Sequence, residues 1–292
     1  MNNIEIFNDT QNIVKRSSQL KLLTNKSIAE TKIYNENFIS QKTQVFTYPS
    51  VKVKEALTLQ AVSEIYGKYK NIAILNFANP IEPGGGVLRG ANAQEEYLCR
   101  ASNLYNCLTS EKATEFYEYH QRNRNNIFSD KIIYCPNVQF FKKDVLKNKY
   151  TFEEYPDFIQ QYTDDFITAD VITCAAPYWH NEIDISENEL LEIMKKRVTN
   201  IFEAAIENKI EALILGAFGC GAFRNPPHIV AESFRQVLLS ERYINSFKEV
   251  VFAIKRTGSF CPNIEAFEVK FLEFPFNDYA FSPERNKRRF FE

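Results

Sequence analysis

Five apolar runs of strand length alternate with amphipathic helical segments along most of the chain, and this alternation limits the possible folds more than any other feature. The predicted strands are residues 72–78, 131–141, 170–176, 212–218 and 249–255. The predicted helices are residues 94–108, 109–121, 187–208, 226–239 and 263–272. Hydrophobicity is continuous within the strands, which indicates strands that are covered on both faces. We therefore predict an α/β fold, a three-layer α/β/α domain with a mixed central sheet.

The first fifty residues are polar and depart from this pattern. They are predicted to be partly helical and to end in a short strand at residues 43–48, followed by a helix at residues 53–69. We therefore expect an N-terminal helical extension over residues 1–50, packed on a main domain over residues 51–292. The polar segment 148–165 is predicted to be a surface loop.

Composition argues against several classes of partner and compartment. With 35 basic and 37 acidic residues, the net charge of −2 is not that of a broad surface for direct DNA or RNA binding. The polar start is not a signal peptide and no apolar run has the length of a membrane span, so no membrane partner is expected. Six cysteines without a CxxC pair indicate buried thiols in a reducing compartment, the cytoplasm, or also the nucleus if the host is a eukaryote. Three scattered histidines predict no zinc site, which leaves open only a metal held by carboxylates alone.

Two turns built from small residues each lie between a predicted strand and a predicted helix. Their residues are, in chain order, Gly84, Gly85, Gly86, Gly219, Cys220 and Gly221. Backbone N–H groups in such turns can converge on an anion, although a glycine can also serve only to let the chain turn tightly. Two turns at carboxyl ends of strands would border the crevice where open α/β sheets bind ligands. Neither an NTPase motif nor a full dinucleotide fingerprint is present, so we predict a bound diphosphate and no cofactor.

Gln94, Glu95 and Glu96 begin the helix that follows the first turn. Acidic residues favour the first turn of any helix through its dipole, which is the alternative to a catalytic role. Only seven residues separate Gly86 from Gln94, so these carboxylates must lie close to a ligand held by the turn. Glycosidic cleavage needs a carboxylic acid that protonates the leaving oxygen and then deprotonates water. For that task, burial and the adjacent carboxylate would have to raise a carboxyl pKa against the helix dipole.

At these residues the sequence resembles the microbial-type poly(ADP-ribose) glycohydrolases, which have a macrodomain fold. The family signature of three glycines, six to eight residues and Gln-Glu-Glu stands here as residues 84–86, seven residues and residues 94–96. The segments IIYCPNVQFF, DVITCAAP and LGAFGCGAFRNPP are also similar, and NDTQNIVKR resembles the helical extension of these enzymes. The resemblance implies hydrolysis of ribose–ribose bonds in poly(ADP-ribose), mainly from chain ends, with release of ADP-ribose. It also implies a part in reversing ADP-ribosylation, as in the response to DNA damage.

The resemblance further implies roles for single residues. Glu96 would be the acid/base, and Glu95, next to Gln94, would orient the scissile ribose. Asn79 would contact the same ribose, and Phe223 would pack against it. The diphosphate would lie on the second turn, at Gly219, Cys220, Gly221 and Ala222. We interpret Cys220 as a small loop residue rather than a nucleophile, because no histidine base is near it in the sequence.

Two other functions remain compatible with the sequence. One is a hydrolase that removes single ADP-ribose units from modified protein or nucleic acid, and the other is a macrodomain that binds ADP-ribose without turnover. The expected partner is poly(ADP-ribose) or an ADP-ribosylated protein. The pair Glu95 and Glu96 argues against binding alone, since binding needs no such acid.

Overall fold

The computed structural model describes residues 2–146, 158–180 and 185–272. The strands are β1 Lys32–Tyr34, β2 Ser50–Glu55, β3 Ile72–Phe77, β4 Ile132–Leu146, β5 Phe158–Cys174, β6 Ala212–Leu215 and β7 Glu249–Ile254. The helices are α1 Asn3–Arg16, α2 Ser18–Glu30, α3 Thr58–Ile65, α4 Gln94–Ala101, α5 Leu104–Leu108, α6 Glu111–Arg122, α7 Glu187–Glu207, α8 Pro227–Leu238 and α9 Pro262–Leu272. Among these residues, no helix is both long and apolar enough to cross a membrane.

The strands form one mixed sheet in the order β1-β4-β5-β3-β6-β7-β2. The pairs from β5 to β2 in this order are parallel, and both pairs that β4 makes are antiparallel. Strand β3 lies at the centre, between β5 and β6. Its carboxyl end is therefore flanked by two parallel neighbours, which is where a crevice for a ligand is expected.

Helices cover both faces of the sheet and bury two apolar cores. Helices α7, α8 and α9 pack on one face, and helices α3 to α6 pack on the other. Successive residues of β3 point into the two cores in turn: Ala73 and Leu75 join the first, and Ile72 and Ile74 join the second. This explains why the first four residues of the strand are all apolar. The predicted three-layer α/β/α fold with a mixed sheet is confirmed.

The N-terminal residues form two helices and an edge strand. Phe7 of α1 is buried in the core beneath α3 to α6, and the ammonium of Lys142 on β4 donates to the Ile6 carbonyl (2.9 Å) and to Asp9 (2.8 Å). Strand β1 then joins the sheet beside β4. Helical structure before residue 50 thus lies against the sheet, whereas the division into an extension and a main domain stays a prediction.

The predicted strand at residues 43–48 and the predicted helix at residues 53–69 were wrong in their bounds. The strand is instead β2, in which Val51 and Val53 alternate with lysines. Among the described strands it pairs with β7 alone, at the edge of the sheet, so alternation rather than continuous hydrophobicity is its signature. The helix that follows is correspondingly shorter.

Three further boundaries differ from the prediction, and one of them is β6, which ends at Leu215 rather than at residue 218. Residues 158–165, predicted as part of a loop, belong to β5, and residues 158–162 among them pair with the extended end of β4. Residues 148–157 of the predicted loop lie outside the described residues. The predicted helix 94–108 is divided into α4 and α5. The break occurs because Ser102 is extended and bridges to Phe140, and the Asn103 side chain accepts the Gln139 N–H at 2.9 Å.

Candidate active site

A cavity of about 790 Å³ lies at the carboxyl ends of the parallel strands. Its wall includes residues that immediately follow β3, β5 and β6, together with the end of β7. These residues are Ala78, Asn79, Ala176, Ala217, Phe218 and Lys255. The first turn of α4, with Gln94, Glu95 and Glu96, also lines it. The structure therefore brings the predicted carboxylates to the crevice where the sequence places the ligand.

Glu96 is held by the backbone on both oxygens. Its Oε1 accepts the N–H of Gly86 at 2.7 Å, and its Oε2 accepts the N–H of Ala93 at 3.0 Å. The second bond is the reach of a residue in the first helical turn back to the residue before the helix. Only 7% of Glu96 is exposed, although it borders the cavity. The carboxylate is therefore fixed in one orientation at the cavity wall.

Glu95 is buried more deeply, with 2% of its surface exposed. Its Oε2 accepts the N–H of Asn79 at 2.7 Å, and its Oε1 accepts the side-chain amide of Asn76 at 3.2 Å. Burial raises the pKa of Glu95 to about 8, and the nearby charge of Glu96 adds to that rise, whereas the hydrogen bonds from Asn79 and Asn76 oppose it. Desolvation and the neighbouring carboxylate thus raise the pKa of Glu95, the residue next to the predicted acid/base.

The Gln94 side chain joins the start of α4 to strand β3 by two hydrogen bonds. Its amide oxygen accepts the N–H of Phe77 at 2.9 Å, and its amide nitrogen donates to the carbonyl of Leu75 at 2.9 Å. The side chain thus pairs with the last residues of β3 as a neighbouring strand would. Gln94 therefore sets where the two carboxylates stand relative to the sheet.

The first glycine turn packs directly behind the carboxylates. A Cβ atom at Gly85, whose φ is +59°, would lie 2.4 Å from Glu96 Oε1, and one at Gly84 would lie 2.7 Å from the ring of Tyr105. Gly86 supplies the N–H that binds Glu96. All three glycines are buried. Their observed contacts shape the acid site, and a direct contact with a diphosphate stays a prediction.

The second glycine turn faces the cavity from the β6 side. Gly219, Gly221, Ala222 and Phe223 line it. A Cβ at Gly219, whose φ is +74°, would lie 2.5 Å from both Ala176 Cβ and Asn225 Nδ2, whereas one at Gly221 would meet no atom within 4 Å. The turn therefore presents backbone to open space, which is the arrangement that anion binding by N–H groups needs.

Cys220 and Phe223 occupy different surroundings within this turn. Burial raises the pKa of the Cys220 thiol well above its usual range, which makes it a poor nucleophile. The ring of Phe223 contacts those of Tyr178 and Phe128, with centroids 5.8 and 6.0 Å away. These contacts leave Phe223 half-buried at the cavity wall.

Several site residues were not identified from the sequence. Asn225 is buried, and its amide donates to the carbonyls of Pro177 (2.7 Å) and Gly219 (3.1 Å), which holds the second turn in place. Arg100, one helical turn after Glu96, is 2% exposed and binds the carbonyl of Ala91 at 2.7 Å. A polar residue before the proline pair was the available signal for Asn225, and the spacing of four from Glu96 was the signal for Arg100.

Asn2, Asn3 and Ile6 at the start of α1 complete one end of the cavity. The Asn3 amide donates to the Gly90 carbonyl at 3.0 Å, which joins α1 to the segment between the first turn and α4. In the part of the chain that the structure describes, no cluster of three or more His, Cys, Asp or Glu is placed to hold a metal ion.

Comparisons with known proteins agree with this geometry. Residues 2–143 match the family of the microbial-type PARG catalytic domain, where PARG stands for poly(ADP-ribose) glycohydrolase. The PARG of Thermomonospora curvata bound to the inhibitor ADP-HPD is 28% identical, with a TM-score of 0.77 over 92% of this chain and 99% of that chain. The PARG of Deinococcus radiodurans in complex with ADP-ribose is 27% identical, with a TM-score of 0.73 over 86% of this chain and 97% of that chain. No curated protein matched the sequence.

Proposed function

We propose that this chain is a microbial-type poly(ADP-ribose) glycohydrolase, which cleaves the ribose–ribose bonds of poly(ADP-ribose), mainly from chain ends, and releases ADP-ribose. The match of residues 2–143 to that family and the similarity to solved enzymes of this type support the proposal. The observation that carries the proposal is the pair of buried carboxylates, Glu95 and Glu96, at the wall of the crevice. A cavity of about 790 Å³ is within the size range of nucleotide-sized ligand sites.

Glu96 is the proposed acid/base. In its protonated form it gives its proton to the departing 2′-oxygen while the bond from that oxygen to the anomeric carbon breaks and positive charge develops on the ribose. The resulting carboxylate then takes a proton from water, whose oxygen bonds to the anomeric carbon. Each carboxylate oxygen binds one N–H, so each retains a lone pair for this proton transfer.

The other predicted contacts position the ribose and the diphosphate relative to Glu96. The lone pairs of Glu95 that are left by Asn79 and Asn76 accept hydrogen bonds from ribose hydroxyls. The Asn79 side chain, whose Oδ1 accepts the N–H groups of Ile81 (2.8 Å) and Glu82 (2.9 Å), offers its amide nitrogen to the same ribose. The diphosphate lies on the backbone of the second turn. The aromatic face of Phe223 packs against the reacting ribose.

Replacing Glu96 with Gln tests the catalytic assignment. Turnover of poly(ADP-ribose), measured as free ADP-ribose by chromatography, should fall by a factor of about 10² to 10⁴, because a general acid/base contributes that much. ADP-ribose binding, measured by calorimetry, should persist. Glu118→Gln is the matched control, since Glu118 lies on the exposed side of α6 and pairs with Arg122. Undiminished turnover in Glu96→Gln would overturn the assignment.

The wild-type protein separates the alternative functions. Polymer-modified and singly modified proteins are incubated with it in parallel. Release from the polymer supports the proposal, whereas release from the single modification alone identifies a mono-ADP-ribosyl hydrolase. Binding without any release identifies a reader of ADP-ribose.

The proposal also covers the cellular compartment of the enzyme and the modified protein on which it acts. All six cysteines are unpaired, which suits a reducing compartment such as the cytoplasm. The physiological substrate is then an ADP-ribosylated protein in such a compartment, for example one modified after DNA damage. Fractionation of host cells, with detection of the chain in each fraction, tests the compartment.

A further inference from the structure

Asn76 is the one amide in the apolar central strand, and it is completely buried. Its neighbours in β3 fill the two cores with aliphatic side chains. The Asn76 side chain instead points its Nδ2 at two acceptors, Glu95 Oε1 at 3.2 Å and Thr173 Oγ1 at 3.2 Å. Thr173 is the residue beside Asn76 on β5, in register with it. Both strands thus contribute a polar group beneath Glu95.

This arrangement is not one that stability alone would favour. The Asn76 Oδ1 atom is buried and has no hydrogen-bond partner. An unsatisfied buried acceptor costs free energy, and an apolar residue at the same strand position would remove that cost. The contribution of the amide therefore lies in its nitrogen, which donates to Glu95 and Thr173.

We propose that Asn76, positioned by Thr173, is a positioning residue that orients the Glu95 carboxyl group toward the ribose and favours its ionised form over its protonated form. This inference rests on the proposed function for the role of Glu95 alone. The donation favours the charged form of Glu95, because a hydrogen bond to a carboxylate is stronger than one to a neutral acid.

The other groups around Glu95 act in the opposite direction or are neutral. Glu96 on the same helix is a second negative charge. The Cys99 thiol on α4 and the Tyr117 hydroxyl on α6 are also close, and burial keeps the pKa of each well above its usual range, so both are uncharged. On the strands that pack below, Asn76 and Thr173 carry no charge. The Asn76 amide and the backbone N–H groups of Asn79 and Gly84 are thus the groups that offset burial.

The test compares the pH dependence of kcat/KM in wild type and in Asn76→Ala. Activity should fall as the pH falls through the pKa of Glu95. Without the amide, the midpoint of this decrease in kcat/KM should move to higher pH by about one unit. At neutral pH kcat/KM should then fall about tenfold, since a hydrogen bond to a charged group has that strength. Asn76→Asp should shift this midpoint further, because it adds a carboxylate beside Glu95.

Asn71→Ala is the matched control at the opposite end of β3. Asn71 donates to the Lys209 carbonyl at 2.9 Å, so its loss removes one amide hydrogen bond outside the site. It should leave the pH profile unchanged. Thr173→Val, which is nearly isosteric, should give a smaller shift of the same sign as Asn76→Ala and covers the case in which the alanine variant does not fold. If the midpoint of the pH dependence of kcat/KM is the same as in wild type for the Asn76 and Thr173 variants, the inference is overturned.

A second readout separates this inference from the function on which it rests. The carboxyl carbon of Glu95 is followed by ¹³C NMR over pH, with its signal assigned by its loss in Glu95→Gln. The midpoint in Asn76→Ala, or in Thr173→Val, should lie above that of wild type. An equal midpoint contradicts the inference even if the polymer is cleaved, and inactivity of wild type contradicts only the proposed function.

Discussion

The two glycine turns are alike in sequence but have different surroundings in the structure. The first, at residues 84–86, is buried against the carboxylates of Glu95 and Glu96. The second, at residues 219–221, borders the cavity, and Gly221 has open space beside it. Glycine thus serves two purposes around one crevice. In the first turn it lets an acid approach the backbone closely, and in the second it leaves backbone accessible to a ligand.

The largest expected difference between the two turns concerns stability. Beside the first turn, where Glu95 is buried, the free energy of unfolding should depend on pH. Burial raises the pKa of Glu95 from 4.5 to about 8, so the folded chain keeps a proton that the unfolded chain releases between these values. This contribution to the free energy of unfolding is fully present below about pH 4.5 and is lost as the pH rises through about 8, by on the order of a few kcal/mol.

Urea unfolding at pH 5 and pH 8.5 measures this effect as the difference between wild type and Glu95→Gln. The variant removes the titration of this one group, so other titrating groups cancel. The advantage of wild type over the variant should decrease toward alkaline pH. A difference that is constant with pH would show that Glu95 is ionised throughout and would weaken the contrast between the turns.

A substitution in the first turn should affect catalysis next most strongly. A Cβ at Gly85 would lie 2.4 Å from Glu96 Oε1, so Gly85→Ala must displace the acid. We expect kcat to fall about a hundredfold, as a displacement of about 1 Å in a catalytic group can cause. Gly67→Ala is the control: its φ of +82° imposes the same backbone strain, but nothing lies within 4 Å of the new Cβ. Equal loss of activity in both variants would attribute the effect to strain.

A substitution in the second turn should have a smaller effect than one in the first turn. It should lower the affinity for ADP-ribose rather than kcat. Gly219→Ala places a Cβ 2.5 Å from Ala176 and Asn225 and shifts the turn, so ADP-ribose affinity should fall about tenfold in calorimetry. Gly221→Ala meets no neighbour within 4 Å, and its stability should stay within about 0.5 kcal/mol of wild type. Greater loss of kcat than of affinity in Gly219→Ala would remove the distinction between the two turns.

The fold was largely predictable because most strands are covered on both faces. Continuous apolar runs at residues 72–78 and 249–255 locate β3 and β7 to within one residue. Strand β2 was missed because Val51 and Val53 alternate with lysines, whereas the prediction relied on continuous apolar runs. The break after Ala101 depends on pairing of Ser102 and Asn103 with distant residues of β4, so no local pattern encodes it.

The site was predictable where function needs a rare residue type. The acidic pair and the glycines are visible as a motif, and the structure places them together. Asn76 and Arg100 are not visible in this way, since each is a single polar residue whose partners lie elsewhere in the chain. Their importance emerges only when burial and hydrogen bonds are known.

The backbone character of the second turn has a consequence for how such enzymes can diverge. The acid side is fixed by specific side-chain bonds between α4, β3 and the first turn, so few substitutions there are neutral. The other wall presents the backbone of the second turn, beside which the side chain of Ala222 also lines the cavity. A substitution of Ala222 would therefore reshape this wall while the hydrogen bonds that hold the carboxylates stay intact.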